Sequence, residues 1–269
     1  ILAIIQFTHI LDFMIIMPLG STQMHTFDIS PQQFSLIVSA YAISAFISGI
    51  ISAFFLDKFD RKSALIFAYI GFTIATFACA FSSGYVLFLV FRCLTVLFGG
   101  VLASLILSIV ADTVPLNRRA TAMSYIMMGF STASVVGVPF GLYLSAIFTW
   151  QVPFLVVAGV SSLMVLFAFV KLPQMRKHLE TADERPKAWA NIVGIFRNKN
   201  QLRALGFTML MMLGHFTIIP FIAPYMIRNV GFSDINVSYI YFIGGLATFF
   251  TLPLFGKLAD KYGHRKIYV

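Results

Sequence analysis

The sequence predicts an all-α, polytopic membrane protein, and three observations predict it. Of 269 residues, 59% are hydrophobic and only 11% charged, with a mean hydropathy of +0.89. Soluble domains carry about 25% charged and about 45–50% apolar residues, so a soluble chain of this composition has too few polar side chains to cover its surface. Apolar stretches recur at about the 20 residues a helix needs to cross roughly 30 Å of hydrocarbon. Basic residues concentrate in alternate connections, as they do in loops on the cytoplasmic side of a membrane.

Eight stretches have the required length: roughly 1–24, 32–56, 63–82, 85–112, 120–146, 152–172, 203–228 and 235–257. The first holds HILDFMIIMPLG, a lone Asp12 inside an apolar run. The second and third flank the basic turn Asp57–Lys62, and the fourth carries a single charge, Arg92. From Ala120 to Val170 there is no Asp, Glu, Lys or Arg. As one helix that run would be roughly 77 Å long, over twice the membrane core, so it must fold back. Thr149-Trp150-Gln151-Val152-Pro153 is the turn, with Trp150 suited to the interface. Backbone groups in lipid must bond internally, which makes each stretch a helix. The short alternating segments of a barrel are not seen.

Loops at Asp57–Lys62, Asp112–Arg119, Lys171–Arg203 and Lys257–Lys266 hold all but two of the 19 Lys and Arg; the others are Arg92 and Arg228. This asymmetry predicts that those loops and the N-terminus are cytoplasmic. The formal charge of +9 is then an orientation device and not a nucleic-acid surface. Cys79 and Cys93 lie in apolar runs and read as packing residues, without a disulfide, metal or cofactor. The sequence starts inside an apolar segment without Met and stops where another could begin, so a piece cut at both ends is expected. The first segment lacks the basic flank of a signal peptide and is too long for a signal core.

One connection is long. Lys171 to Arg203 is polar, and then Trp189, Ile192, Val193 and Phe196 recur at helical spacing. That pattern suits either a basic amphipathic helix on the inner leaflet or a solvated linker with a helix packed on the protein. It divides six helices (1–172) from a linker (173–202) and the start of a second unit (203–269).

Two basic loops are alike. Asp57-Lys58-Phe59 in AFFLDKFDRKS aligns with Asp260-Lys261-Tyr262 in GKLADKYGHRK, and each follows the second helix of its unit, which points to a duplicated six-helix half. Both resemble G-x-L-x-D-R-x-G-R-R; Ala53 and Asp60 replace glycines in the first, while Gly256, Leu258, Asp260 and Gly263 fit in the second. FRCLTVLFGGVLAS resembles R-x-x-x-G-x-x-G-G through Arg92, Gly99 and Gly100, with Val96 in place of a Gly. Gly129, Gly137, Pro139 and Gly141 resemble the pattern G-x8-G-x3-G-P-x2-G-G, with Val138 interrupting the Gly-Pro pair. On these motifs the sequence resembles the major facilitator superfamily and is similar to its bacterial drug/proton antiporter branch, of multidrug or sugar efflux. The resemblance implies a major facilitator fold: the N-terminal six-helix half plus the first two helices of the second, truncated. It also implies a proton-coupled exporter of small organic molecules in the bacterial inner membrane, working by alternating access, monomeric and not an enzyme. A sugar or metabolite uptake carrier is the near alternative; a non-transporting receptor or scaffold is the alternative of another class. No HExxH or GxSxG motif appears.

Asp12 is the first functional candidate. A carboxylate at mid-membrane costs a few kcal/mol and normally faces a cavity or a partner. Thr8 and His9 share its helix face. It either couples transport to protons or forms a structural ion pair. Asp12 lies about 18 Å and Arg92 roughly 12 Å from the outer ends of their helices, within reach if the helices are neighbours. The family resemblance links Arg92 to proton handling; a lock on backbone carbonyls is the alternative. The repeat maps Asp12 onto His215, a second protonatable position or a hydrogen-bonded core histidine. His9, Met14, Met211 and Met212 are candidates for an adaptable pocket or for ordinary packing. The resemblance implies a cytoplasmic gate at Asp57, Arg61, Lys62, Asp112, Arg118, Arg119, Asp260 and Arg265. It gives Gly129, Gly137, Pro139 and Gly141 a role as an antiporter-like motif, packing helices closely and sealing the contact between the halves.

Overall fold

The computed structural model describes residues 1–16, 19–176, 194–232 and 234–263. All regular structure among them is helical. The elements are α1 (Leu2–Ile15), α2 (Gly20–Phe27), α3 (Pro31–Phe55), α4 (Arg61–Ala80), α5 (Tyr85–Thr113), α6 (Arg119–Thr132), α7 (Val138–Ile147), α8 (Val152–Lys171), α9 (Lys199–Tyr225) and α10 (Asp234–Tyr262). Six helical runs among the described residues are long and apolar enough to cross a membrane, the π turn counted with α6 and α7.

Two expected spans are interrupted. The first does not run unbroken from 1 to 24: α1 ends at Ile15 and α2 resumes at Gly20, with Leu19 N–H reaching Ile15 O at 3.4 Å. Pro18 in the intervening sequence has no N–H to donate and disfavours helix in the residue before it. The fifth is split by a π turn, Ala133–Gly137, closed by Val138 N–H to Ala133 O. Pro139 follows directly and withdraws one donor from the ladder, which favours such a local widening. The eighth runs beyond residue 257, so the second basic motif ends a helix, with Gly263 at φ 89° just past it.

The hairpins close by ordinary chemistry. Asp28 ends α2 in the left-handed region, and Ser30 starts α3 with a reciprocal cap: Gln33 N–H donates to Ser30 Oγ and Ser30 N–H to Gln33 Oε1. Pro31 takes the first helical position, where no intrahelical donor is needed. Asp60 caps α4 by accepting from Lys62 N–H at 3.2 Å.

α5 packs between α3 and α4, α4 also lies on α8, and α1 runs against α5, α6 and α8. α10 crosses to this group and packs along α6 and the π turn. The buried apolar residues form two cores. One, toward the basic loops, joins Ile5, Leu65, Tyr69, Phe72, Leu105 and Ile106. The other joins Ile15, Leu19, Ile37, Cys79, Phe88 and Phe154. On α1, α4 and α5 alike, polar residues fall between the two cores along the chain: Asp12, Thr76, and Arg92 with Thr95. The outer surface is apolar, with Phe46, Phe67, Phe169 and Val170 well exposed, as a lipid-facing surface requires.

Candidate functional site

Asp12 and Arg92 meet in the layer between the cores. Arg92 Nη1 donates to Asp12 Oδ2 at 2.6 Å, and both residues are 2% exposed. α1 and α5 are neighbours, so the reach estimated along each helix is closed by a direct contact between the two side chains. Arg92 engages Oδ2, and the buried Thr76 hydroxyl lies beside the same carboxylate. A cavity of about 10 Å³, about one water in size, is lined by Phe13, Ile16, Ile37, Val38, Tyr41 and Arg92.

The neighbours of Asp12 divide. Thr8 turns to Tyr69, hydroxyl to hydroxyl at 2.9 Å. His9 is buried edge-on against Phe72, at 6.0 Å between ring centres, with Nδ1 unpartnered. Its ring occupies the place where a side chain on Gly99 would sit: a Cβ there would be 2.6 Å from His9 Nε2. Gly100 makes the same allowance for Ser48, which donates to Leu97 O at 2.8 Å. The arrangement can hold one carboxyl in two protonation states: a proton on Oδ1 leaves Oδ2 free to keep accepting from Arg92.

The four pocket candidates do not converge. His9 is enclosed; Met14 Sδ receives Ser134 Oγ at 3.6 Å; Met211 and Met212 lie on α9 and are 55% and 53% exposed. The side chains of His215 and Asp57, and Arg265 entirely, lie outside the described residues.

At the basic end, four of the expected gate groups, Arg61, Asp112, Arg119 and Asp260, are joined to helix ends. Buried Arg61 reaches Asp112 Oδ2 from Nε at 3.2 Å and Leu56 O from Nη1 at 3.0 Å, tying the start of α4 to the end of α5. Arg119 Nε donates to Val114 O at 3.0 Å and Nη2 to Ala111 O, covering the last carbonyls of α5. Lys62 instead places Nζ over the Phe169 ring at 5.7 Å, and Arg118 is exposed. Asp260 crosses from α10 to the start of α6, accepting from Ala120 N–H at 3.0 Å and Thr121 N–H at 2.7 Å. The family pattern marked Asp260, but these two partners are backbone groups and carry no sequence signal.

The glycines pack their helix closely against a neighbour, and that neighbour is α1. Gly129, Gly137 and Gly141 face α1, against Phe7 and Ala3, Leu11, and Ile15 respectively. The α6–α10 contact is made by other small residues: Ser131 and Thr248 share a hydrogen bond of 2.8 Å, Gly245 lies on Ser134 and Val135, and Gly256 on Ser124. The spacing of eight and four along a helix selects one face, and that face is turned to α1.

Membrane-length helices, an apolar outer surface and a buried charge pair define a multi-pass membrane protein. Residues 2–269 match the pattern of the Major Facilitator Superfamily, and the chain belongs to that family. It is similar to the inner membrane transport protein YdhP of Escherichia coli (strain K12), 27% identical over 234 residues, covering 87% of this chain and 59% of the relative. It is also similar to a probable sugar efflux transporter of Helicobacter pylori (strain P12), 25% identical over 243 residues, covering 90% and 60%. Among solved structures, the proton:xylose symporter XylE bound to 6-bromo-6-deoxy-D-glucose superposes with TM-score 0.70 at 14% identity, covering 97% of this chain and 69% of that one. The chain thus spans about three fifths of the length of these curated relatives.

Proposed function

We propose that the gene product is a proton-coupled secondary transporter that exports small organic molecules across a bacterial inner membrane by alternating access, with the basic loops cytoplasmic. The observation that carries this is the buried Asp12–Arg92 pair, in which Arg92 donates to Oδ2 of a carboxylate 2% exposed. Charges this deep in a membrane protein are expensive and mark ion or substrate pathways. Protonation of Asp12 removes its charge, weakens the attraction between α1 and α5, and leaves Arg92 as the uncompensated cation of the layer. A pair that is strong in one protonation state and weak in the other biases an equilibrium between two arrangements of helices. Efflux is supported by the relatives, which include a probable sugar efflux transporter.

The gate reading rests on Asp260. A carboxylate at a helix N-terminus satisfies orphan N–H groups and complements the helix dipole, and here it does so across the α6–α10 contact. Breaking that contact opens the basic end. The six helices to residue 172 and the unit from residue 203 are proposed as the two moving bodies, with 173–202 as their linker.

The test is substrate-stimulated proton movement. The gene product in proteoliposomes carrying a pH-sensitive dye is challenged with a panel of lipophilic cations and monosaccharides. At least one compound is expected to change the internal pH, and Asp12→Asn is expected to abolish that response. Full gradient-driven accumulation by Asp12→Asn would overturn the coupling role.

A further inference from the structure

A cleft of about 420 Å³ lies at the basic end between α4 and α8, away from the Asp12–Arg92 layer. Its lower wall is Ile66, Phe67, Ile70 and Phe169, and its rim is Asp60, Lys62, Ser63 and Gln174. The wall is open outward: Phe67 is 71% exposed and Phe169 65%. From Lys62 to Ile70 the cleft follows α4 for about 12 Å, close to the roughly 15 Å depth of one leaflet's hydrocarbon. Its volume lies in the range of small-molecule sites.

We propose that this cleft binds an anionic phospholipid, its phosphate held at Lys62 and Gln174 and an acyl chain laid along Ile66, Phe67, Ile70 and Phe169. The charge pattern selects the headgroup. Asp60 also lines the rim, but its carboxylate is committed. Oδ1 accepts from Lys62 N–H at 3.2 Å and Met175 N–H at 3.0 Å. Oδ2 accepts from Ser63 Oγ at 3.5 Å and lies 3.8 Å from Arg176 Nε. Lys62 Nζ, over the Phe169 ring at 5.7 Å, and the exposed Arg176 give the mouth a positive character. Two cations against one carboxylate, itself hydrogen-bonded to the chain, leave the mouth net positive, which favours an anionic headgroup over one that adds an ammonium. In the orientation proposed above the cleft opens to the cytoplasmic leaflet, where a basic patch attracts anionic lipid. The binding measurement does not depend on that orientation or on transport.

The cleft's position links it to the gate. Lys62 follows Arg61, which ties α4 to Asp112, and Asp60 ties α4 to the chain after α8. A lipid seated there would clamp the same helix ends.

The experiment is native mass spectrometry of the detergent-purified full chain titrated with phosphatidylglycerol, phosphatidylethanolamine or phosphatidylcholine. Phosphatidylglycerol is expected to be retained preferentially. Lys62→Gln should weaken its apparent affinity about fivefold, the effect of one basic side chain at an anionic surface. Phe169→Ala should weaken all chain-length-dependent retention. Lys58→Gln is the matched control: it removes the same charge from a lysine over Phe55, outside the cleft. Equal retention of the three lipids, or equal losses in Lys62→Gln and Lys58→Gln, would overturn the proposal. So would competition by glycerol 3-phosphate as effective as that by lipid, which would show an anion site without an acyl groove. A disulfide forming readily between Ser63→Cys and Ile192→Cys would place the chain's own linker in the cleft and overturn it as well.

Discussion

Arg92 and Asp12 have contributed to each other's tolerance of a site that would accept neither alone. Removing one member of a buried pair leaves the other uncompensated, at a cost of about 3–5 kcal/mol, whereas replacing both with apolar groups is often close to neutral. Asp12→Ala is therefore expected to lower thermal stability in detergent markedly, and Asp12→Ala with Arg92→Leu to recover most of the loss. Additive losses, measured by a fluorescence-detected melting series, would mean that the 2.6 Å contact carries no coupling. These two residues were legible in the sequence because a charge in a long apolar run is conspicuous. Thr76 and Tyr41, which complete the surroundings, were not. Neutral polar side chains are common in membrane helices, and only the packing of α3 and α4 on α5 brings them to the pair. His9 shares the helix face of Asp12 in the sequence, yet its ring is enclosed, because Gly99 on another helix leaves room for it. That room has a test. Gly99→Ala would place Cβ 2.5 Å from His9 Cδ2, so the imidazole must rotate away. A cost of about 1–3 kcal/mol is expected from such overpacking. His9→Ala in the Gly99→Ala background should relieve it; no relief would show that the clash lies elsewhere.

At the scale of the element, the spans were readable from length and hydropathy, while their interruptions needed the backbone. α1 stops at Ile15, and the fifth span widens at Ala133–Gly137; both lie just ahead of a proline. Proline announces a break but does not say whether the chain kinks, turns or widens. The direction of the glycine stripe was similarly hidden, since periodicity fixes a face without naming its neighbour. Gly129 shows how close that neighbour comes. A Cβ there would be 3.0 Å from Phe7 N and 3.1 Å from Ala3 O, which are backbone atoms and cannot rotate aside. Gly129→Ala is expected to push α1 from α6 and lower stability by about 1–3 kcal/mol. Gly49→Ala, with nothing within 4 Å of its Cβ, should be neutral or slightly stabilising through helix propensity. Similar losses at both glycines, measured as inactivation half-lives, would show that close packing on α1 is not what Gly129 provides.

For the whole molecule, the most extensive contact of α10 among the described residues is the one it makes with α6. It is a narrow seam of small residues, Ser124, Ser131, Gly245 and Gly256, with one carboxylate at its basic end. In a membrane such a seam is held by the close approach of backbones and by interhelical hydrogen bonds, here Ser131 with Thr248 and the two to Asp260. The bonds from Ala120 and Thr121 to Asp260 are a directional part of the seam that the alternating access proposed above would have to break. Losing a side-chain cap at a helix N-terminus costs roughly 0.5–2 kcal/mol, or about 2- to 30-fold in a two-state equilibrium. Asp260→Ala is expected to shift the gene product by that factor toward the state open at its basic end. Cysteines introduced at Thr121 and Leu258, labelled from each side of the membrane, would report the change as faster modification from the basic side. Asp260→Glu, which keeps the charge at a longer reach, should lie between the two. Unchanged labelling in Asp260→Ala would leave the seam closed by packing alone and remove the carboxylate from the gate.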